Sequence, residues 1–314
     1  MNQTNTSQNI TTEGLNKPIC PLCKSKKAKL DFIKFNYSIF DCQSCKSLYV
    51  YPSPSSVELE QFYTSGDQEK LSQVCWTDVA ESHKHVWDVW KEGLEYIEKQ
   101  AGRGPLLDIG CGTGQFLVFA KQHGWTELKG IELNQRVAKI AGELSGGVIY
   151  TSELLKTSLP SASFSGIVLW DTIEHLNDIE SALKEVFRLL KPGGVVLIGT
   201  VNRSGVSVRL LNKNALTVNP PEHLIFFTQK GMAQALKLAG FEVCKIWSFS
   251  IYLREWLNYF SKIKPSQKTE DDNDTDYRSK VNDSTAFLML MKIANAFLKV
   301  TNLGDELVAI GQKR

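Results

Sequence analysis

The sequence predicts an α/β chain: a mostly parallel sheet covered by helices on both faces, preceded by a small cysteine ribbon and a helical segment. Three observations carry this. From Ala101 onward, short apolar runs alternate with amphipathic helical stretches, as strands buried on both faces require. One run leads directly into a turn holding Gly110, Gly112 and Gly114. Ahead of it stand two Cys-x-x-Cys pairs, Cys20/Cys23 and Cys42/Cys45, with 18 residues between the pairs.

The four paired cysteines fit the spacing of a four-thiolate zinc site, each pair forming one knuckle. Leu30, Phe32, Ile33, Phe35, Tyr37, Ile39 and Phe40 suggest short strands between them. A module of roughly 40 residues is too small to stand on its core alone. Zinc would supply much of its folding energy, about 10 to 16 kcal/mol in comparable peptides. With four protein ligands the ion would be structural; the alternative is ordinary thiols. Lys24 and Lys46 stand where such knuckles often carry glycine, at places where a left-handed backbone is convenient. Cys75, Cys111 and Cys244 have no partner spacing and read as plain thiols.

Residues 1–14 read as a polar tail, 15–54 as the ribbon, 55–100 as a helical cap or linker and 101–314 as the sheet domain. In the cap, Val74, Trp76, Val79, Val86, Trp87, Trp90, Leu94 and Ile97 recur at helical spacing. His83 and His85, two apart on that helix, point in different directions and read as a solvated face. The strand candidates are Leu106–Ile109, Lys129–Leu133, Gly147–Tyr150, Gly166–Trp170, Val195–Val201, Phe241–Trp247 and Asp305–Gly311. One helix starts near Asp178 and stops at Lys191-Pro-Gly-Gly194; another runs from Thr228 as N-cap to Gly240. An insertion at about 251–302 holds a polar loop, Lys264–Asn282, between two apolar helices. The second helix, Ala286–Val300, is expected to pack on the domain, with an interfacial membrane helix or dimer surface as the alternative.

Charge narrows the function. Thirty-six basic against 34 acidic residues leave +2, without the positive field of a chain built for nucleic acid. No run reaches the roughly 20 apolar residues of a membrane span. The polar start lacks an apolar signal segment, and the odd count of seven cysteines suits a reducing compartment, so a cytoplasmic protein is expected.

The most informative stretch is Leu106-Leu-Asp-Ile-Gly-Cys-Gly-Thr-Gly-Gln-Phe-Leu117. A dinucleotide turn would read G-x-G-x-x-G, but here Gln115 takes the place of the last glycine. Asp108 sets an anion beside the turn, which suits a cationic ligand group better than a pyrophosphate. This stretch resembles the first motif of class I S-adenosylmethionine-dependent methyltransferases. The resemblance extends over Gly130-Ile-Glu-Leu133, Leu169-Trp-Asp-Thr-Ile-Glu-His-Leu176, Leu189-Leu-Lys-Pro-Gly-Gly194 and Pro220-Pro-Glu-His-Leu224. Ser165 departs from it, where the family often has Asp. It implies a Rossmann-like seven-stranded sheet and S-adenosyl-L-methionine as cofactor. By resemblance Asp108, Gly110, Cys111, Gly112 and Gly114 would line the methionine and ribose, and Glu132, followed by Leu133, would hold the ribose hydroxyls. Ser152 and Glu153 would lie near the adenine, with Trp170 and Asp171 on the methionine side.

Methyl transfer to a hydroxyl needs a base, and His175, Glu222 and His223 follow strands that bring them to one edge. Asp171, Glu174, His175 and His223 also resemble the acidic and histidine cluster of metal-dependent ubiquinone O-methyltransferases, which implies Mg2+ as an alternative aid. The leading expectation is a methyltransferase acting on a hydroxyl of a small sugar, cell-surface or natural-product precursor. Quinone or phenol O-methylation is the nearest alternative. RNA methylation is a more distant one, prompted by Lys24, Lys26, Lys27 and Lys29, but Trp-Asp-Thr-Ile stands where amine-directed enzymes carry Asn/Asp-Pro-Pro-aromatic. A non-catalytic cofactor-binding module is the third.

Overall fold

The computed structural model describes residues 18–55, 57–59, 84–252 and 295–314. The cap residues Val74, Cys75, Trp76, Val79 and His83, the loop Lys264–Asn282 and most of Ala286–Val300 lie outside them.

Eleven strands form two sheets among the described residues. The larger contains β4 (Leu106–Ile109), β5 (Leu128–Ile131), β6 (Val148–Tyr150), β7 (Phe164–Trp170), β8 (Leu190–Val201), β10 (Glu242–Phe249) and β11 (Glu306–Gln312). Their order is β10-β11-β8-β7-β4-β5-β6. β4 to β8 pair in parallel, and β11 runs antiparallel between β8 and β10. The strand order reverses at β4, the switch point where ligands of such sheets sit.

Alternating strand residues feed two apolar cores. Leu106, Val168, Leu197 and Val308 face α1 (Lys84–Ala101) and α2 (Gln115–Gln122), through Trp90, Leu94, Ile97, Phe116 and Leu117. Leu107, Ile167, Leu169, Ile198 and Leu307 face the other way, toward Leu183 and Val186 of α4 (Ile179–Leu189) and Met232 and Leu236 of α6 (Gln229–Leu238). α3 (Gln135–Ser145) connects β5 to β6, and the short α5 (Val206–Leu211) follows β8. The two expected N-caps are present: Asp178 accepts from the Ser181 amide at 3.1 Å and Thr228 from the Gly231 amide at 3.0 Å.

One segment differs from its sequence reading. Lys191-Pro-Gly-Gly194 does end α4, but it also opens β8: Leu190 pairs with Phe164, and the register then shifts so that Val195 meets Gly166. Gly193, at φ 79°, absorbs the irregularity.

The smaller sheet is β1 (Ala28–Lys34), β2 (Tyr37–Cys42), β3 (Leu48–Val50) and β9 (Ile225–Phe226), in that order and antiparallel. Phe35 and Asn36, both with positive φ, make the two-residue turn between β1 and β2. The fourth strand comes from the sheet domain, and the ribbon shares one apolar core with the α4 face. Residues 295–301 are helical and include the end of the expected Ala286–Val300 helix, with Leu298 buried. Among the described residues no helix is long and apolar enough to cross a membrane.

Candidate active site

The glycine turn is tied to β5 before it enters α2. The amides of Gly110 and Cys111 both donate to the Ile131 carbonyl, at 2.8 and 3.0 Å, and the Gly114 amide donates to Cys111 at 2.8 Å. All three glycines have positive φ: 70°, 51° and 82°. A Cβ on Gly110 would meet Thr172 Oγ1 at 2.5 Å, and one on Gly114 would meet the Ala141 Cα at 3.0 Å. One on Gly112 would meet nothing within 4 Å. Gly110 and Gly114 are thus required by packing, whereas Gly112 presents bare backbone to open space.

Glu132, at the end of β5, reaches back to this turn. Its Oε2 accepts from the Gly112 amide at 3.1 Å and its Oε1 from the Asn134 amide at 2.9 Å. Burial holds its carboxyl above the usual range. Asp108 is buried, and burial together with the nearby Glu132 pushes its carboxyl well up. Two desolvated carboxyl groups beside one turn favour a ligand that brings hydroxyl donors and positive charge. Cys111 is buried, its sulfur so placed that a Cβ on Gly130 would meet it at 2.7 Å. Leu133 is exposed past β5. Past β6, the Ser152 hydroxyl donates to the Glu153 carbonyl and Glu153 pairs with Lys156.

Trp170 ends β7 with its ring over Gly199, edge-on to Trp90 at 5.7 Å and beside Phe249 at 6.4 Å. It is half-buried and walls the sheet edge against α1. Asp171 follows with φ 46°, its amide bonded to the Gly199 carbonyl. Solvent reaches Asp171, yet protein rings it, and burial with Glu174 and Glu306 nearby pushes its carboxyl well up.

The turn Ile173–His175 and the loop before β9 bring three groups together. One ligand atom each of Glu174, His175 and His223 lies within 4.8 Å of the others; Asp171 is outside this group. The Leu224 amide donates to the Glu174 carbonyl at 2.9 Å and pins the two segments. His175 Nδ1 lies 2.7 Å from the Glu222 carbonyl, and His223 Nδ1 lies 2.6 Å from the Thr217 carbonyl. Carbonyls only accept, so these contacts assign the proton to Nδ1 in each neutral ring and the lone pair to Nε2. Burial holds both imidazoles below their ordinary value, and for His223 the neighbouring His175 adds to it. Glu222 takes part through its carbonyl, while its carboxylate accepts from Asn219 Nδ2 at 2.7 Å. Both Glu174 oxygens are buried without a well-formed hydrogen bond, Thr200 lying beside them, and burial raises that carboxyl.

Two contributors escaped the sequence reading. Thr172 packs on Gly110 and bonds the Trp170 carbonyl at 2.9 Å. Glu306 opens β11, opposite Val201 of β8, and acts with Asp171 on Tyr252, whose phenol is pushed well up chiefly by burial. Only the insertion of β11 beside β8 brings Glu306 to this edge, and strand order carries no local sequence signal.

The cysteines converge on a separate centre. Cys20 and Cys45 sulfurs are 3.7 Å apart, Cys23 and Cys42 sulfurs 3.5 Å, and all four lie within 4.8 Å of one another. Tetrahedral zinc with Zn–S of about 2.3 Å spaces sulfurs by about 3.8 Å, so the set fits that ion. Lys24 and Lys46, at φ 58° and 65°, take the left-handed positions and donate their amides to the Cys20 and Cys42 carbonyls. The contact with Cys20 draws the Cys45 thiol down to about 5, while the same contact and burial push Cys20 up.

A methyltransferase-domain family model matches residues 82–246, more than half of the chain, and the chain belongs to that family. The glycine turn and Glu132 lie within the matched residues. The ubiquinone biosynthesis O-methyltransferase of Pseudomonas fluorescens is 29% identical over 138 residues, 41% of this chain and 59% of that protein. The chain thus spans about three-fifths of that curated relative's length. A solved S-adenosylmethionine-dependent methyltransferase from Thermotoga maritima, described as a possible histamine N-methyltransferase, is 23% identical at TM-score 0.49, covering 77% of this chain and 98% of its own. The solved cyclase SpnF is 17% identical at TM-score 0.53, covering 83% and 98%, and shares the fold.

Proposed function

We propose that the chain is an S-adenosylmethionine-dependent methyltransferase acting on a hydroxyl of a small molecule, with His223 as the base. The carrying observation is the half-buried histidine pair, its imidazoles held below their ordinary pKa, beside Glu174 at the carboxyl edge of β7 and β8. When bound, S-adenosylmethionine would supply a methyl group on a sulfonium; Glu132, which accepts from the Gly112 amide, would hold its ribose, with the buried Asp108 in the same site. The acceptor oxygen forms a bond to the methyl carbon as the bond to sulfur breaks, and the hydroxyl proton passes to His223 Nε2. Thr217 fixes the opposite nitrogen, and His175, held by Glu222, packs against the ring. Alignment of acceptor and methyl group is worth about 7 to 11 kcal/mol, and a placed base a further hundred- to ten-thousand-fold in rate, roughly. The name of the Pseudomonas relative supports oxygen as the methylated atom and keeps quinones and phenols beside sugar and natural-product precursors. In the same reading the cysteine centre holds structural zinc.

A second reading has one specific support, the two buried Glu174 oxygens, which have no well-formed hydrogen bond although Thr200 lies beside them. Glu174, His175 and His223 would then hold a divalent cation such as Mg2+, which would bind the acceptor oxygen and lower its pKa. Radiolabelled methyl transfer to panels of phenols and sugar nucleotides, with and without chelator, tests both. A His223-dependent, chelator-insensitive rate fits the base; a rate lost to chelator and restored by Mg2+ fits the cation; no transfer to any hydroxyl in either panel contradicts both.

A further inference from the structure

We infer that the cysteine ribbon is a positioning device for the histidine loop, so that the metal centre governs the acceptor half of the site and leaves the cofactor half alone. This rests on reading His223 as part of the acceptor site. The ribbon grips the segment carrying His223 on both sides. Before the histidine, Lys34 Nζ, at the tip of the β1–β2 hairpin, donates to the Ala215 carbonyl at 3.1 Å, two residues from the Thr217 carbonyl that orients His223. After it, the Val50 amide donates to the Leu224 carbonyl at 2.9 Å, and Leu48 and Tyr49 pair with Phe226 and Ile225.

The last grip starts at one of the proposed metal ligands. Thr228 Oγ1 donates to the Cys45 carbonyl at 2.6 Å, and the Thr228 amide donates to Ser47 Oγ at 3.0 Å. Ser47, Leu48, Phe226 and Phe227 are fully buried there, so these bonds are not exchangeable for water at low cost. A change of backbone at the Cys42–Cys45 knuckle is therefore transmitted to β9 and to His223 one turn earlier. The cofactor side lies apart from these bonds. Among the described residues, the ribbon's polar contacts reach the sheet domain at Asn177, Glu180, Ala215, Leu224, the β9 pair and Thr228, away from Gly110, Gly112, Gly114 and Glu132.

The test is hydrogen exchange of the full chain, read by mass spectrometry on peptides covering 215–228 and 106–115, together with calorimetric binding of S-adenosylhomocysteine. Three samples are compared: zinc-loaded protein, protein stripped by chelator under reducing conditions, and zinc-loaded Lys34→Met. The expected result for stripping is at least tenfold faster exchange in 215–228, unchanged exchange in 106–115 and S-adenosylhomocysteine affinity within about threefold. Lys34→Met should keep its zinc and its affinity while exchange in 215–228 rises about fivefold, the value of one ordinary hydrogen bond. Exchange in 215–228 that ignores both changes overturns the inference, as does affinity that falls in step with zinc. If the loaded protein fails to bind S-adenosylhomocysteine at all, the functional reading fails instead, and exchange alone still decides whether the ribbon holds the loop.

Discussion

The rings of His175 and His223 meet edge to face with centroids 4.9 Å apart, each held at Nδ1 by a backbone carbonyl. Two half-buried imidazoles this close disfavour a positive charge on either, which leaves a basic Nε2 on His223 at neutral pH. His223→Ala should lower methyl transfer by a hundred- to ten-thousand-fold, roughly, while S-adenosylhomocysteine affinity stays within about twofold. Labelled-methyl transfer paired with calorimetry checks it. Equal losses in rate and affinity would make His223 a structural residue.

Glu132 accepts from the turn at Gly112, and in the proposed site its ionised carboxylate would receive the ribose hydroxyls. Glu132→Gln should weaken S-adenosylhomocysteine binding by about ten- to a hundredfold, the cost of about 1.5 to 3 kcal/mol for a hydrogen bond to a charged group. Thermal melting should change little without ligand, and affinity that survives would place the ribose elsewhere.

The same carboxyl makes binding depend on pH. Its folded-state value is raised, so protons bound to the empty site must leave before the ribose can be held, and affinity falls with falling pH while still above the ordinary carboxylate range. The melting-temperature increase given by S-adenosylhomocysteine should therefore be larger at about pH 7.5 than at about pH 5.5. An increase independent of pH across that interval would contradict the role given to Glu132.

Gly112 and Gly114 should respond differently to a methyl group. Each Ala substitution carries the left-handed penalty of about 1–2 kcal/mol. Gly114→Ala adds a collision with the Ala141 backbone, whereas at Gly112 the new atom points into open space. Gly114→Ala should lose more thermal stability, and Gly112→Ala more ligand affinity relative to its stability loss. Melting curves with and without S-adenosylhomocysteine separate the two, and the reverse order would mean that Gly112 does not face the ligand.

Much of this was legible from local sequence. Leu106–Ile109 and the caps Asp178 and Thr228 stand where their residue types put them, because turn and cap chemistry is decided within a few residues. The cysteine spacing foretold the four-thiol cluster, and the lysines at Lys24 and Lys46 accept the left-handed backbone for which glycine is commoner. What could not be read depends on pairing across the chain. Nothing near Ile225 announces that it completes the ribbon's sheet, and nothing near Glu306 says that its strand will lie beside β8. The chemistry of Glu222 points to its carboxylate, but Asn219 holds that group and the backbone carbonyl faces His175. The choice between a carbonyl and a side chain is made by the fold of the loop.

The most direct measurement is a native mass spectrum of the purified chain with and without S-adenosylhomocysteine. The account predicts one zinc per chain in both spectra and one further S-adenosylhomocysteine mass in the second. A folded chain that takes up neither would contradict it, removing the metal from the ribbon and the cofactor from the glycine turn.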